Sequence, residues 1–282
     1  MKLPPFALHV PRTLDEALAL RAALGSDAKV LAGGQSLLPM MRYRMLRPYA
    51  LIDITRVVSL ARLDTTPVVR IGAAVTHADV ERCTQAGVLF DLLRAHAADI
   101  AFLPVRGRGT VVGSLVHADP AGDWPLLLTA LDATVELGSL RGRRAVALRD
   151  FIRGAMDSDV QVDEIALAAT LPERASGLLR WGRCKLMHRA GEFASASALA
   201  LQGADGRWAC WLGAIDPVPL QLHALAQGLP VAEGPPPIRR GLAASALDEI
   251  LAARPHIDPL AASRHAQAMA RAVEQAWQGV TA

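Results

Sequence analysis

Cysteine is scarce: three residues, Cys83, Cys184 and Cys210, stand far apart in a chain of 282. There is no CxxC pair and no Cys/His cluster, so zinc and iron–sulfur centres have no ligand set here. If iron–sulfur chemistry is involved, another chain carries it. Aromatic residues make up 4% of the chain, which argues against a surface that stacks nucleic-acid bases. Neither sign of charge dominates, because 30 Lys and Arg face 27 Asp and Glu for a net charge of +3. The tightest basic cluster, Arg141, Arg143 and Arg144, surrounds Gly142 between two apolar stretches. It reads as a solvated hairpin tip in place of a nucleic-acid patch. No apolar run approaches the roughly 18 residues of a membrane span, and Met1 to Pro11 carries Pro4, Pro5 and His9 where a signal peptide would have its apolar core. The expectation is a cytoplasmic protein with no membrane span and no nucleic-acid partner. The two common nucleotide fingerprints, GxGxxG and GxxxxGK[ST], are also missing, which disfavours Rossmann and P-loop folds.

What is present is a globular composition, 52% hydrophobic and 20% charged, enough for one large core or two to three small ones. Within it, Lys29, Val30, Leu31 and Ala32 form an apolar run that ends abruptly in Gly33 and Gly34. Gln35, Ser36 and Leu37 then open a helix-like segment. Paired glycines can take positive φ and expose backbone N–H groups, the Ser36 hydroxyl adds a donor, and a following helix would aim its positive end at an anion. On those residues alone the stretch reads equally as an ordinary turn.

Along the chain, Phe6 to Val10, Lys29 to Ala32 and Leu51 to Ile54 read as strands, with a helix over Leu14 to Leu24 between the first two. Thr13 and Glu16 form a capping box, and Gly25 suits the C-cap. A strand at Val68 to Ala73 precedes a helical pattern that starts at Thr76 and Asp79 and continues through Val88 to Ala97. Val105 to Asp123 mixes Gly, Arg and small residues with apolar ones. Such a stretch either packs backbone against a ligand or makes an irregular connection. A buried helix over Trp124 to Leu131, a hairpin over Thr134 to Leu148 and a strand over Glu164 to Leu171 follow. Pro172 to Gly177 has linker chemistry. Three strands are expected beyond it, near Leu178 to Leu186, Ala194 to Gln202 and Trp208 to Ala214, with Asp205 and Gly206 as a turn. Pro235, Pro236 and Pro237 then break the chain before two amphipathic helices, at about 240–252 and 259–278.

Three motifs in order, Ala32 to Ser36, Thr110 to Pro120 and Lys185 to Ala194, give the chain a resemblance. It resembles the FAD-binding medium subunit of molybdenum hydroxylases, the family of the carbon monoxide dehydrogenase medium subunit and the xanthine dehydrogenase flavin domain. The likeness extends to Leu51 to Ile54, Arg70 to Ala73 and the helical tail. It implies an α+β fold: a two-lobed FAD-binding domain of the vanillyl-alcohol-oxidase (PCMH) type, with lobes at 1–55 and 56–175. A C-terminal domain at 176–282, a three-stranded sheet with helices, would follow.

By resemblance, Lys29, Val30, Leu31, Ala32, Gly33, Gly34, Gln35, Ser36 and Leu37 form the pyrophosphate loop. Thr110, Val112, Gly113 and Ser114 contact the phosphates from the other lobe, and His117 belongs to the same motif. Asp123 matches an acidic flavin-site position, Ile165 a strand passing the ring, and Lys185 a lysine near the isoalloxazine. From residue types alone, Asp123 reads as a cap of the helix at Trp124, Lys185 as a residue snorkelling from a strand, and His117 as a loop or core histidine. Three departures stand out. The family has glycine where this chain has Val112, which would be costly if the position needs positive φ or close approach of phosphate. It has asparagine where this chain has Gly107, and aspartate where it has Glu192.

The function implied is an electron outlet. A large partner subunit would carry molybdopterin and hydroxylate the substrate, a small partner would carry 2Fe-2S clusters, and FAD on this chain would pass electrons to an external acceptor. The assembly would be a dimer of heterotrimers. Two alternatives are a free-standing FAD-dependent oxidase, which would call for a His or Tyr base over the flavin, and a flavin-free scaffold in which Val112 closes the site. Tyr43 and Tyr49 are the chain's only tyrosines.

Overall fold

The computed structural model describes residues 2–231 and 237–279. Pro235 and Pro236 of the expected break lie outside them.

The chain opens with β1 (Ala7–His9), α1 (Leu14–Leu24), β2 (Ala28–Leu31), α2 (Leu37–Arg42) and β3 (Ala50–Asp53). The three strands form a parallel sheet in the order β1-β3-β2. Parallel strands need crossover connections, and the α1 and α2 segments supply them. The capping box forms: the Glu16 N–H donates to Thr13 Oγ1 at 3.2 Å, and the Glu16 carboxylate accepts the Thr13 N–H at 3.4 Å. The Gly25 N–H closes α1 on the Arg21 carbonyl. Arg21 is buried, and its guanidinium donates to the carbonyls of Gly25, Ala28 and Glu164. One side chain thus ties α1 and β2 to the next sheet.

That sheet has five strands in the order β4-β5-β10-β6-β7, all antiparallel. They are β4 (Leu63–Asp64), β5 (Arg70–Gly72), β6 (Thr134–Ser139), β7 (Gly142–Ala147) and β10 (Ile165–Thr170). The arginines of the β6–β7 hairpin are not a free basic patch. Arg141 pairs with Asp163, Arg143 with Glu136, and Arg144 holds Glu164 through two bonds of 2.7 Å.

Between β5 and β6 run α3 (His77–Glu81), α4 (Val88–Ala98), α5 (Leu103–Arg106), α6 (Val111–His117) and α7 (Asp123–Ala130). The helical pattern from Thr76 is broken at Gly87, whose φ of 124° no β-branched or bulky residue would tolerate. The Val105 to Asp123 stretch is more regular than its composition predicts. Thr110 caps α6 by accepting the Gly113 N–H at 3.1 Å, so the second half of that stretch is a helix. Between β7 and β10 lie α8 (Leu148–Phe151) and a small hairpin, β8 (Ile152–Gly154) with β9 (Asp157–Ser158), none of which periodicity had marked.

The last sheet has four strands where three were expected. β11 (Leu178–Leu186), β12 (Ala196–Gly203) and β13 (Trp208–Gly213) are joined at the edge by β14 (Leu220–Gln221). Two residues directly after Pro219 are too short for an alternation signal. Helices α9 (His223–Gly228), α10 (Arg239–Ala253) and α11 (Pro259–Gln278) complete it. α11 lies directly on β11: a Cβ on Gly182 would stand 1.9 Å from the Ala272 carbonyl oxygen. Its buried stripe of Ala262, Ala266, Ala272 and Ala276 permits that approach. One core runs continuously beneath the first two sheets and reaches Trp181, Leu199 and Leu201, while a second fills the space between the four-stranded sheet and its helices.

Candidate functional site

A cavity of about 490 Å³ opens where the end of β2, the start of α6 and the start of β10 converge. Every residue from Lys29 to Leu37 lines it, as do Thr110, Val112, Gly113, Ser114, His117 and Ile165. Asp123 and Lys185 do not.

The turn after β2 explains its own glycines. A Cβ on Gly33 would stand 2.1 Å from the Arg108 carbonyl oxygen and 2.7 Å from the Gly109 Cα, so the two loops touch backbone to backbone. Gly34 takes φ 73°, and a Cβ there would also press on Leu38 and Leu31. The amides of Gly33, Gly34, Gln35 and Ser36 donate to no acceptor among the described residues; the turn is closed instead by the Leu38 N–H on the Gly34 carbonyl at 3.1 Å. Gln35 folds back, its amide donating to the Gly33 carbonyl at 3.3 Å. Ser36 starts α2 without capping it by its side chain. Four consecutive free amides in a concave turn are a donor set for an anion.

Across the cavity, Gly113 is required by the cap of α6, because a Cβ there would meet Thr110 Oγ1 at 2.6 Å. Val112 corrects one expectation. It sits in the first turn of the helix, with its side chain in the core at 1% exposure. The position has no need of positive φ, and the isopropyl group does not close the cavity. Its amide belongs to the first turn, where no intrahelical acceptor exists. Gly107 ends α5 with ordinary helical φ and no neighbour nearer than 3.5 Å to a Cβ, so nothing there demands glycine. His117 ends α6 half-buried, and burial pushes its pKa below the usual range.

Asp123 does not cap α7. It is the first helical residue, makes no capping bond, and its carboxylate accepts from Lys185 Nζ at 2.9 Å. Both side chains are nearly buried, at 12% and 7% exposure. Lys185 does not snorkel to solvent. Burial raises the Asp123 pKa while Lys185 pulls it back down. Beside them Arg183 pairs with Asp99 at 2.9 Å. This charged layer ties the ends of α4 and β11 to the start of α7, apart from the residues that line the cavity.

Sequence reasoning missed the opposite wall. His77, Met156, Asp157, Ser158 and Val160 also line the cavity. The β8–β9 hairpin is fastened there by Ser158 Oγ donating to the Val116 carbonyl at 3.1 Å and by the Met156 N–H donating to the Ala118 carbonyl at 2.9 Å. No spacing in the chain signals that contact across some 40 residues. Among the described residues no group of His, Cys, Asp and Glu is placed to hold a metal ion, and no helix is long and apolar enough to cross a membrane.

Comparison with known proteins agrees with this geometry. Residues 4–174 match the family described as the FAD binding domain in molybdopterin dehydrogenase. The nicotine 6-hydroxylase medium subunit of Paenarthrobacter nicotinovorans is 37% identical over 209 residues, 73% of this chain and 72% of that one. Among solved structures, carbon monoxide dehydrogenase from Hydrogenophaga pseudoflava superposes with a TM-score of 0.87 at 32% identity over 99% of both chains. Quinoline 2-oxidoreductase from Pseudomonas putida 86 gives 0.86 at 29% identity, again over 99% of both. The chain belongs to the family of FAD-binding subunits of the molybdopterin dehydrogenases.

Proposed function

We propose that this chain binds FAD between the Gly33 turn and α6 and serves as the electron outlet of a molybdenum hydroxylase. The observation that carries the proposal is the run of four unpartnered amides, Gly33 to Ser36, lining a cavity of about 490 Å³. A diphosphate suits those donors, and the glycine junction with Arg108 leaves no side chain in its way. FAD, when bound, supplies the redox chemistry; the chain binds it, orients it and shields it from water.

The rest of the machine belongs to partners. A small subunit carries the 2Fe-2S clusters and a large subunit carries molybdopterin, which is consistent with three scattered cysteines on this chain. We assign the flavin domain to two lobes of the vanillyl-alcohol-oxidase type at 1–55 and 56–175, a C-terminal domain like that of the carbon monoxide dehydrogenase flavoprotein to 176–282, the assembly to a dimer of heterotrimers and its place to the cytoplasm. The pyrophosphate contacts fall to Lys29 through Leu37 and to Thr110, Val112, Gly113 and Ser114. Ile165 and His117 serve the flavin end from the cavity lining, while Asp123 and Lys185, which the resemblance also assigns to the flavin site, stand outside that lining and pair with each other. A free-standing oxidase gains no support from the tyrosines, since Tyr43 and Tyr49 are both 72% exposed and neither lines the cavity.

The test is the visible spectrum of the chain purified with whatever accompanies it, before and after reductant. Flavin bands with iron–sulfur absorbance and two further chains, one larger and one smaller, are expected. A chain that takes up no flavin after reconstitution with FAD overturns the proposal.

A further inference from the structure

His77, the first residue of α3, lines the cavity yet is only 6% exposed. Its Nδ1 accepts the Trp124 indole N–H at 2.9 Å. An indole nitrogen only donates, so Nδ1 must hold a lone pair, and a neutral ring then carries its proton on Nε2. The ring is neutral at any physiological pH, since burial, with His96 and Arg106 nearby, lowers its pKa to about 4.

The Nε2–H has no acceptor among the described residues, and Nε2 sits against Gly109, beside the phosphate loops. A Cβ on Gly109 would stand 2.6 Å from His77 Nε2, and the Gly109 Cα is itself 2.7 Å from where a Gly33 Cβ would lie. The His77 backbone is locked to the same spot, its N–H donating to the Gly109 carbonyl at 2.9 Å. Imidazole, Gly109 and Gly33 are therefore stacked in consecutive layers beside the four free amides. The ring lines the cavity and its Nε2 is not sealed from it, so an acceptor held in the cavity can reach that donor.

We propose that His77 is a cofactor ligand, donating its Nε2–H to an oxygen of the FAD diphosphate, and that Trp124 is the positioning residue that fixes the tautomer. This rests on the reading that FAD occupies this cavity. A neutral donor suits the place, because like the backbone amides it solvates an anion without bringing a charge of its own.

The full chain, labelled in its histidine nitrogens, is followed by NMR while FAD and, separately, ADP are added. The expected result is one tautomer in the free protein, with Nε2 protonated, and a shift of that Nε2–H resonance on adding either ligand while Nδ1 stays put. In Trp124→Phe the free ring should become a mixture of tautomers. In His77→Phe, which keeps a ring of similar size, FAD should bind about tenfold more weakly or worse, as expected for one lost hydrogen bond to a charged group. An Nε2–H resonance unmoved at saturating FAD overturns the proposal, whether or not either variant folds. A shift with FAD and none with saturating ADP overturns the diphosphate as the acceptor. Binding of neither ligand overturns the FAD reading itself.

Discussion

Gly33 and Arg108 meet backbone to backbone, with 2.1 Å between the place of a Gly33 Cβ and the Arg108 carbonyl oxygen. The partner atom is main chain, so it cannot swing aside as a side chain would. Gly33→Ala must push the turn after β2 away from the loop before α6. Flavin affinity should drop at least tenfold by fluorescence titration, with the circular dichroism of the apo chain unchanged. Gly34→Val should act differently, through φ 73°. A β-branched residue in that region is strained by roughly 1–2 kcal/mol or more, so the turn would reshape and FAD binding should be lost without unfolding. Full flavin occupancy in either variant would sink the assignment of this turn.

Val112→Gly separates two views of one residue. The family resemblance predicts that glycine leaves FAD affinity unchanged or raises it. The structure adds a stability penalty, because the isopropyl group is buried in the core and the position is helical. Removing it and placing glycine in a helix should cost about 2–4 kcal/mol. Urea melts of the apo chain would check this, and an unchanged midpoint would contradict the packing described above.

The sheets and long helices were legible because their signals are local. The Thr13–Glu16 box, the Arg141–Gly142 turn and the apolar runs of β2, β10 and β12 each announce an element within a few residues. The Gly33 turn was legible as a place where backbone must come close, although its partner, Arg108, lies 75 positions away and no spacing names it. Where function rests on such long-range meetings, local reading fails. His77 looked like nothing more than the residue after a capping threonine, and the β8–β9 hairpin was too short for any periodicity. Val112 misled in the other direction: a missing glycine implied a constrained backbone, while the Thr110 cap had already made the position helical.

Lys185 and Asp123 form a charge pair closed off from water at 2.9 Å. Breaking it from one side leaves a buried charge alone. Lys185→Met should strand the Asp123 carboxyl, which burial already holds above its usual pKa, and drive it to protonate. A loss of about 3–5 kcal/mol is expected for removing one partner of a buried pair. The double variant Lys185→Met with Asp123→Leu should recover much of that loss. Two single losses that simply add in the double variant would mean the two groups are not coupled.

Buried histidines set the acid limit of the fold. Burial lowers the pKa values of His77 and His265 from 6.5 to about 4 and that of His96 to about 3, and it lowers that of His117 as well. His96 has in addition two cations near it, Arg183 and Lys185. A group whose folded pKa lies below its unfolded value takes up protons more readily when unfolded. Its stabilising effect is therefore complete above pH 6.5 and lost as the pH falls from 6.5 towards 4 and then 3. Each contributes a slope of at most about 1.4 kcal/mol per pH unit. Asp123 acts with the opposite sign, since its raised pKa favours the folded state as the pH drops. Glu136 and Glu164, held down by arginines, lose their contribution only once the pH passes below 4.5. The fall between pH 6.5 and 4.5 should therefore belong to the histidines. Urea midpoints across that range should decline steadily in the wild-type chain and less steeply, by about a quarter to a third, in His96→Leu, which cannot take up the proton. An identical slope in both would show that some other group drives the acid transition.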